Sequence, residues 1–270
     1  MSKKAGSLNR VRIGMAQMRV DPGQPERNLG RAADFIAQAA QQRCDAVVLP
    51  ECLDLGWGDP SALDFAEPIP GAHVQVLADA AQAHHILVVA GLVERSGDRL
   101  YNAAVLIDNE GELRLLHRKL NELQDVTLGL YAVGDRLGVS DTTIGRVGIS
   151  ICADNTPESL EIGHVLARMG AQIVLSPCAW AVPPDHDNGR DPYGSLWRGS
   201  YGELARRNGL PVVGVSSVGR IQAGPWSGWP VIGASLAMGG DGSVAAQGPF
   251  GENAEALIVA ELSLRGPDQA

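Results

Sequence analysis

The stretch Gly145-Arg146-Val147-Gly148-Ile149-Ser150-Ile151-Cys152-Ala153-Asp154-Asn155-Thr156-Pro157-Glu158 decides how the rest of the chain is read. Val147, Ile149 and Ile151 alternate with small residues, which suits a strand covered on both faces, and the Asn-Thr-Pro-Glu run has the look of a helix entry. Cys152 therefore falls at a strand-to-helix turn. Such a turn can lift a sulfur to the sheet edge, with the next backbone N–H, that of Ala153, facing a developing oxyanion. The plain alternative is a core cysteine, because free cysteine is among the most buried residue types.

Two other stretches bear on that choice. Ala46-Val47-Val48-Leu49-Pro50-Glu51 is an apolar strand that stops at a carboxylate, and Leu113-Arg114-Leu115-Leu116-His117-Arg118-Lys119-Leu120 is another with a lysine near its end. A base, a cation and a thiol, each at a strand terminus, are what amide hydrolysis through a covalent thioester requires. Met15-Ala16-Gln17 with Asn28, Leu49-Pro50-Glu51, Gly91 with Glu94, Tyr101-Asn102, Arg118-Lys119, Gly148 with Ile151-Cys152-Ala153-Asp154, and Gly233 with Ser235 follow in order. In that ordered set the chain resembles the nitrilase superfamily, the carbon-nitrogen hydrolases, over nearly its whole length.

The resemblance implies an α/β fold, a four-layer α-β-β-α sandwich in which two sheets face each other under helices. Residues 1–270 then form a single carbon-nitrogen hydrolase domain, with 1–9 and 265–270 as loose tails. It also implies hydrolysis of a small linear carboxamide or N-carbamoyl compound with release of ammonia, no cofactor, and a homodimer or higher homo-oligomer paired through helices that flank the sheets. In the family's mechanism Cys152 attacks the carbonyl carbon, Lys119 meets the oxyanion, and Glu51 moves the protons. Ala153-Asp154 after the cysteine is more like the amidase and carbamoylase branches than the nitrile-hydrolysing branch. Nitrile hydrolysis or acyl transfer from the same thioester are the enzymatic alternatives, and a catalytically silent binding protein is the alternative of another class.

The chain departs from the family pattern twice. Many members carry a second glutamate between lysine and cysteine; here that interval holds only Glu122, three residues after Lys119. Glu122 is thus the possible fourth catalytic residue, with Asp125 or Asp135 as substitutes and a solvated loop acid as the plain alternative. Thr156 also stands where an aromatic commonly precedes the Pro-Glu pair. Beyond the nucleophile, the segment from Pro177 to Tyr201 borders the pocket in the family, so Trp180, Asp185, His186, Asp187, Trp197 and Tyr201 are candidates for substrate contact. Consecutive loop residues such as Asp185-His186-Asp187 rarely converge on one metal ion. Cys52 and Cys178 do not end a strand of the Cys152 type and read as packing residues.

Composition narrows the partners. The chain has 270 residues, 45% of them hydrophobic, and a formal charge of −9 without any basic block, which disfavours nucleic acid and acidic membrane surfaces. Neither a secretory signal nor a membrane span is legible, so the expected location is the cytoplasm. Four cysteines without a signal peptide read as thiols, and no metal motif is present.

Periodicity gives the elements. Strands are expected over Val11–Met18, Ala46–Leu49, Ile86–Leu92, Tyr101–Ile107, Leu113–Arg118, Ile173–Leu175, Val212–Val218, Ala234–Met238, Val244–Gly248 and Ala256–Leu262. Helices are expected over Asn28–Ala40 with Asn28 as N-cap, Val74–Ala83, Leu160–Met169 and Ser195–Asn208.

Overall fold

The computed structural model describes residues 9–266. Its strands are β1 (Asn9–Gln17), β2 (Arg19–Val20), β3 (Ala46–Val48), β4 (Leu87–Ser96), β5 (Arg99–Ile107), β6 (Leu113–Arg118), β7 (Val139–Thr142) and β8 (Gly145–Ile149). They continue with β9 (Ile173–Cys178), β10 (Val212–Ser216), β11 (Val218–Arg220), β12 (Pro230–Ile232), β13 (Leu236–Met238), β14 (Val244–Gln247) and β15 (Ala256–Leu264). The helices are α1 (Pro25–Gln41), α2 (Ala62–Phe65), α3 (Ala72–His84), α4 (Gln124–Thr127), α5 (Leu160–Arg168) and α6 (Ser195–Asn208).

Two six-stranded sheets share one plan. The first runs β15-β1-β3-β4-β5-β6 and the second β14-β13-β10-β9-β8-β7. In each, three central strands are parallel, β1, β3 and β4 in one and β8, β9 and β10 in the other, with antiparallel flanks. The two-residue period of the strands divides their side chains between two cores. Val11, Ile13, Met15, Val48, Val89 and Leu106 join Ile149, Leu175 and Val213 of the second sheet. Their neighbours Val47, Leu49, Val88, Val105 and Ile107 instead meet Leu29, Phe35 and Ile36 of α1 and Val74, Leu77 and Ala81 of α3. α5 and α6 cover the outer face of the second sheet through Leu166, Leu204 and Ala205. The result is the four-layer α-β-β-α sandwich.

This topology collects chain ends on one edge. Glu51 follows the parallel strand β3, Cys152 follows β8, and Cys178 ends β9. β6 is two antiparallel steps from β4, so it runs in the same direction and delivers Lys119 to that edge as well. The mouth beyond the carboxyl ends of parallel strands is where open α/β sheets bind ligands. The two sheets also join there directly, since the Glu51 N–H donates to the Cys178 carbonyl at 3.2 Å.

The expected elements differ from the observed ones in instructive places. Asn28 is not an N-cap: Pro25 opens α1, a position where a missing N–H costs nothing, and Asn28 is buried one turn in. Its side chain accepts from the Asp21 N–H and donates to the Asp21 and Asp54 carbonyls, tying loop to helix. The single strand expected over Val212–Val218 breaks at Ser217, and its second half pairs with β2 and β12 in a small third sheet absent from the expectation. Of the expected tails, Asn9 already pairs with Leu264 in the first sheet, and the Arg265 carbonyl accepts from Gln172 Nε2. The remainder of those tails, residues 1–8 and 267–270, lies outside the described residues. Among the described residues no helix is long and apolar enough to cross a membrane.

Gly91 of β4 is where the sheet makes room for the site. Its N–H donates to the Pro50 carbonyl and its carbonyl accepts from the Leu53 N–H, and an added Cβ would sit 2.5 Å from Glu51 Cα and 2.7 Å from the Pro50 oxygen. A methyl there must displace backbone, so Gly91→Ala should cost about 1–3 kcal/mol in denaturant unfolding. Gly30→Ala, on an exposed turn of α1 with nothing within 4 Å, should instead be neutral or stabilising by up to about 1 kcal/mol. Equal effects of the two substitutions would contradict this packing.

Candidate active site

Lys119 leaves the end of β6 and turns inward. Its Nζ donates to Glu51 Oε1 at 2.6 Å, and both residues are 1% exposed. Asn102 of β5 donates to the same carboxylate oxygen at 2.6 Å, so the Glu51 carboxylate is held by two donors from neighbouring strands. Burial would lower the Lys119 pKa, but the Glu51 carboxylate bonded to it overrides this and holds the ammonium protonated.

Cys152 sits three residues beyond β8 with φ of +41°, a left-handed conformation that a residue with a Cβ adopts only when its surroundings impose it. A tight turn of 3₁₀ helix over Cys152–Asn155 follows. The Cys152 N–H donates to Ser176 Oγ at 3.2 Å, and Asn155 Nδ2 donates to the same oxygen and to the Cys152 carbonyl. These bonds fix the turn from beneath, with the buried Ala153 N–H next in line. The neighbouring Cys178 thiol, burial and the Glu51 charge together push the Cys152 thiol up. At rest the sulfur is therefore a thiol that must lose its proton to act.

Asp154 joins the two strand exits. Its Oδ1 accepts from the N–H groups of Leu120 and Asn121 at 3.0 and 2.8 Å. Its Oδ2 accepts from the Ile151 N–H at 3.0 Å and pairs with His117 Nε2 at 2.8 Å. Although burial opposes it, the bonds from His117, Asn121 and Ile151 hold this carboxyl below the usual range. One buried carboxylate thus ties the segment carrying Lys119 to the turn carrying Cys152.

Glu122, on the same loop, is buried, and neither of its carboxylate oxygens has a protein partner among the described residues. Burial, opposed by Lys119 and reinforced by the Glu51 charge, pushes its carboxyl up to about 8. It is no solvated loop acid. Asp125 and Asp135 are exposed and have no share in this centre.

The expected pocket residues divide. Trp180, Trp197 and Tyr201 are buried in one aromatic group: Trp180 stacks on Trp197 with centroids 4.8 Å apart, and the Tyr201 hydroxyl lies 3.6 Å from Cys178 Sγ. Cys178, expected as a packing residue, thus stands between that group and the Cys152 thiol. His186 packs its ring against Tyr193 and Phe250, whereas Asp185 is exposed and Asp187 spends its carboxylate on the Gly189 and Arg190 N–H groups. Sequence reasoning missed Tyr193, whose hydroxyl accepts from Trp197 Nε1 at 2.8 Å and is pushed by burial above the ordinary tyrosine range. It also missed roles for Asn102, His117 and Asp154. Asn102 and Asp154 stood in the quoted motifs, and His117 precedes Lys119 by two on the same strand.

Breaking the Asp154 junction should be costly because its donors would be left buried and unpaired. Asp154→Asn should lose about 3–5 kcal/mol in chemical unfolding. His117→Ala, which removes one of the four bonds, should lose less. A loss under 1 kcal/mol in Asp154→Asn would mean the junction does not hold the two segments together.

Comparison with known proteins places this geometry. The family model described as carbon-nitrogen hydrolase matches residues 12–268. The omega-amidase NIT2 of Danio rerio is 31% identical over 183 residues, which is 64% of this chain and 65% of that protein. The aligned stretch thus spans less than two thirds of that relative. A carbon-nitrogen hydrolase structure from Helicobacter pylori superimposes with a TM-score of 0.83 at 21% identity, covering 94% of this chain and 89% of the other. An amidase from Nesterenkonia sp. AN1, solved as a cysteine-to-alanine mutant in complex with butyramide, gives 0.78 at 22% identity, covering 93% and 90%. With two facing sheets, a buried glutamate-lysine pair beside a cysteine in a strained turn, and a family match over nearly the full sequence, the chain belongs to the carbon-nitrogen hydrolases of the nitrilase superfamily.

Proposed function

We propose that this chain hydrolyses the C–N bond of a small carboxamide or N-carbamoyl compound through a thioester on Cys152, releasing ammonia. The observation that carries this is the buried Lys119–Glu51 bond beside a cysteine in left-handed conformation. Glu51 takes the thiol proton as sulfur attacks the carbonyl carbon. The tetrahedral oxyanion forms against the Lys119 ammonium and the Ala153 N–H, where low dielectric strengthens both interactions. Glu51 then returns the proton to the departing nitrogen, and ammonia leaves. Water, deprotonated by the same carboxylate, cleaves the thioester and regenerates the thiol.

Glu122 supplies a second acid. With its carboxyl pushed up to about 8 it is mostly protonated at neutral pH, so it can donate a hydrogen bond without adding charge beside Glu51. The butyramide bound by the Nesterenkonia amidase and the omega-amidase activity in the relatives' names support an amide as substrate. One domain, a cytoplasmic location and a homodimer built on the helices outside the sheets complete this proposal.

Ammonia release from a panel of small carboxamides and N-carbamoyl compounds tests the chemistry. Cys152→Ala should lower turnover at least about 10³-fold, with losses of about 10²-fold or more in Glu51→Gln and Lys119→Ala. Retained turnover in Cys152→Ala would overturn the proposal. Glu122 adds a pH signature: a glutamate with an ordinary value of 4.5 and a folded value of about 8 keeps an extra proton in the folded state across that window. Its contribution to stability is greatest below the lower value and declines as pH rises through the higher one. Melting temperatures of Glu122→Gln and the wild type should therefore diverge in favour of the variant between pH 5 and pH 8, whereas a constant difference would contradict the raised carboxyl.

A further inference from the structure

Aromatic side chains are scarce in this chain, 4% of residues, with Trp 5, Tyr 4 and Phe 3, so their placement is informative. The five tryptophans fall into two groups, one beside Lys119 and one packed with Tyr201 beside Cys178. On the lysine side, Lys119 Nζ is 5.9 Å from the centre of the Trp57 ring, and Trp226 lies 5.6 Å beyond Trp57. Trp226 in turn stacks on Trp229 with centroids 4.5 Å apart and planes 4° from parallel. On the cysteine side stand Trp180 and Trp197, with the Tyr201 hydroxyl 3.6 Å from Cys178 Sγ and the Tyr193 hydroxyl accepting from Trp197 Nε1.

The two groups are joined through their backbones. The Ile232 N–H donates to the Trp180 carbonyl at 2.9 Å and the Val182 N–H to the Pro230 carbonyl at 3.1 Å. The loop carrying Trp226 and Trp229 is thereby paired to the strand exit carrying Trp180. Trp226 and Trp229 remain partly exposed, while Trp57 and Trp180 are buried with indole Nε1 donors that have no protein partner among the described residues. Two unpartnered indole donors beside aromatic faces suit a flat group that carries a neutral acceptor.

Charge points the same way. Lys119 is bonded to Glu51, and Arg118, the next cation along the chain, is bidentate on Glu94 at 2.7 Å through both contacts. The cluster containing Trp57, Trp226 and Trp229 is otherwise built from residues such as Leu55, Val93, Ala179 and Ile221. Arg220, whose Nη1 donates to the Gly228 carbonyl in the loop carrying Trp226 and Trp229, is likewise paired, with Glu252. A substrate carboxylate lodged there would be desolvated and would have to compete with Glu51, Glu94 and Glu252 for these cations, a costly arrangement.

We propose, building on amide hydrolysis at Cys152, that the preferred substrate is an uncharged amide whose acyl group is aromatic or similarly flat and apolar, held against Trp57 and Trp226. Trp226 is then a specificity-determining residue, and amides ending in a carboxylate are disfavoured.

Because Trp57 lies beside Lys119 and Trp226 against Trp57, intrinsic fluorescence reports binding. Titrating the Cys152→Ala protein with phenylacetamide and with succinamic acid should give at least about tenfold tighter binding of phenylacetamide. In the otherwise wild-type enzyme, Trp226→Ala should lower the ratio of kcat/KM for phenylacetamide to that for acetamide by about tenfold, and Trp226→Phe should restore most of it. Succinamic acid binding as tightly as phenylacetamide, or a specificity ratio unmoved by Trp226→Ala, would overturn the proposal. Ammonia release with a preference for succinamic acid would leave amide hydrolysis standing and remove the aromatic site. Tight phenylacetamide binding with no ammonia from any amide would do the reverse.

Discussion

The Asp154 carboxylate is the constraint on which the site depends. Lys119 follows the edge strand of one sheet and Cys152 an inner strand of the other, and nothing in either strand fixes the distance between them. Asp154 accepts two N–H groups from the residues after Lys119, one from the residue before Cys152, and pairs with His117 on the strand that delivers Lys119. Charge-assisted bonds of this kind are stronger and more directional than neutral ones. The sheets' facing cores bring the two edges near each other, and this carboxylate sets their register.

The interior of that edge holds ionisable groups that stability alone would not select. Glu51, Lys119, His117 and Asp154 are all at most 2% exposed. Replacing buried ion pairs with apolar residues is often neutral or stabilising, so their presence in a chain otherwise rich in Val, Leu and Ala is best explained by chemistry. The strain has the same distribution. Cys152 and Cys52, the residue after Glu51, both adopt positive φ, and each lies at the exit of a parallel strand. Backbone turned this sharply at two neighbouring strand ends presents side chains toward one mouth, where an acid, a cation and a sulfur meet.

Much of this was legible in the sequence for a definite reason. Strands buried on both faces write near-continuous apolar runs, so the polar ends at Glu51 and Cys152 stand out, whereas Lys119, on an edge strand beside Arg118, is singled out only by the ordered set of motifs. The hairpin joining β5 to β6 and the boundaries of α5 and α6 were equally visible through turn residues and period. What escaped was set by contacts distant in the chain. Asn28 has the chemistry of an N-cap, but a partner at Asp54 draws it inside the helix. Ser217 interrupts a strand because the segment after it pairs with β2, some two hundred residues away in sequence. Trp226 and Trp229 lie in a loop rich in Gly and Pro that carries no periodic signal, and only the fold brings them to Trp57. Glu122 was ambiguous because three residues of spacing say nothing about burial.

The proposed role of Glu51, Lys119 and Cys152 predicts one direct chemical consequence, a covalent acyl intermediate on one particular sulfur. Four cysteines are free and buried, and Cys178 is a close neighbour of the proposed nucleophile, so the identity of that sulfur is a sharp question. The decisive measurement is peptide mass spectrometry of protein quenched with acid during turnover of an amide. An acyl mass carried by the peptide containing Cys152, and lost on treatment with hydroxylamine, is the predicted result. Turnover with the acyl group on the Cys178 or Cys52 peptide, or with no adduct on any cysteine when water attack is slowed, would contradict it.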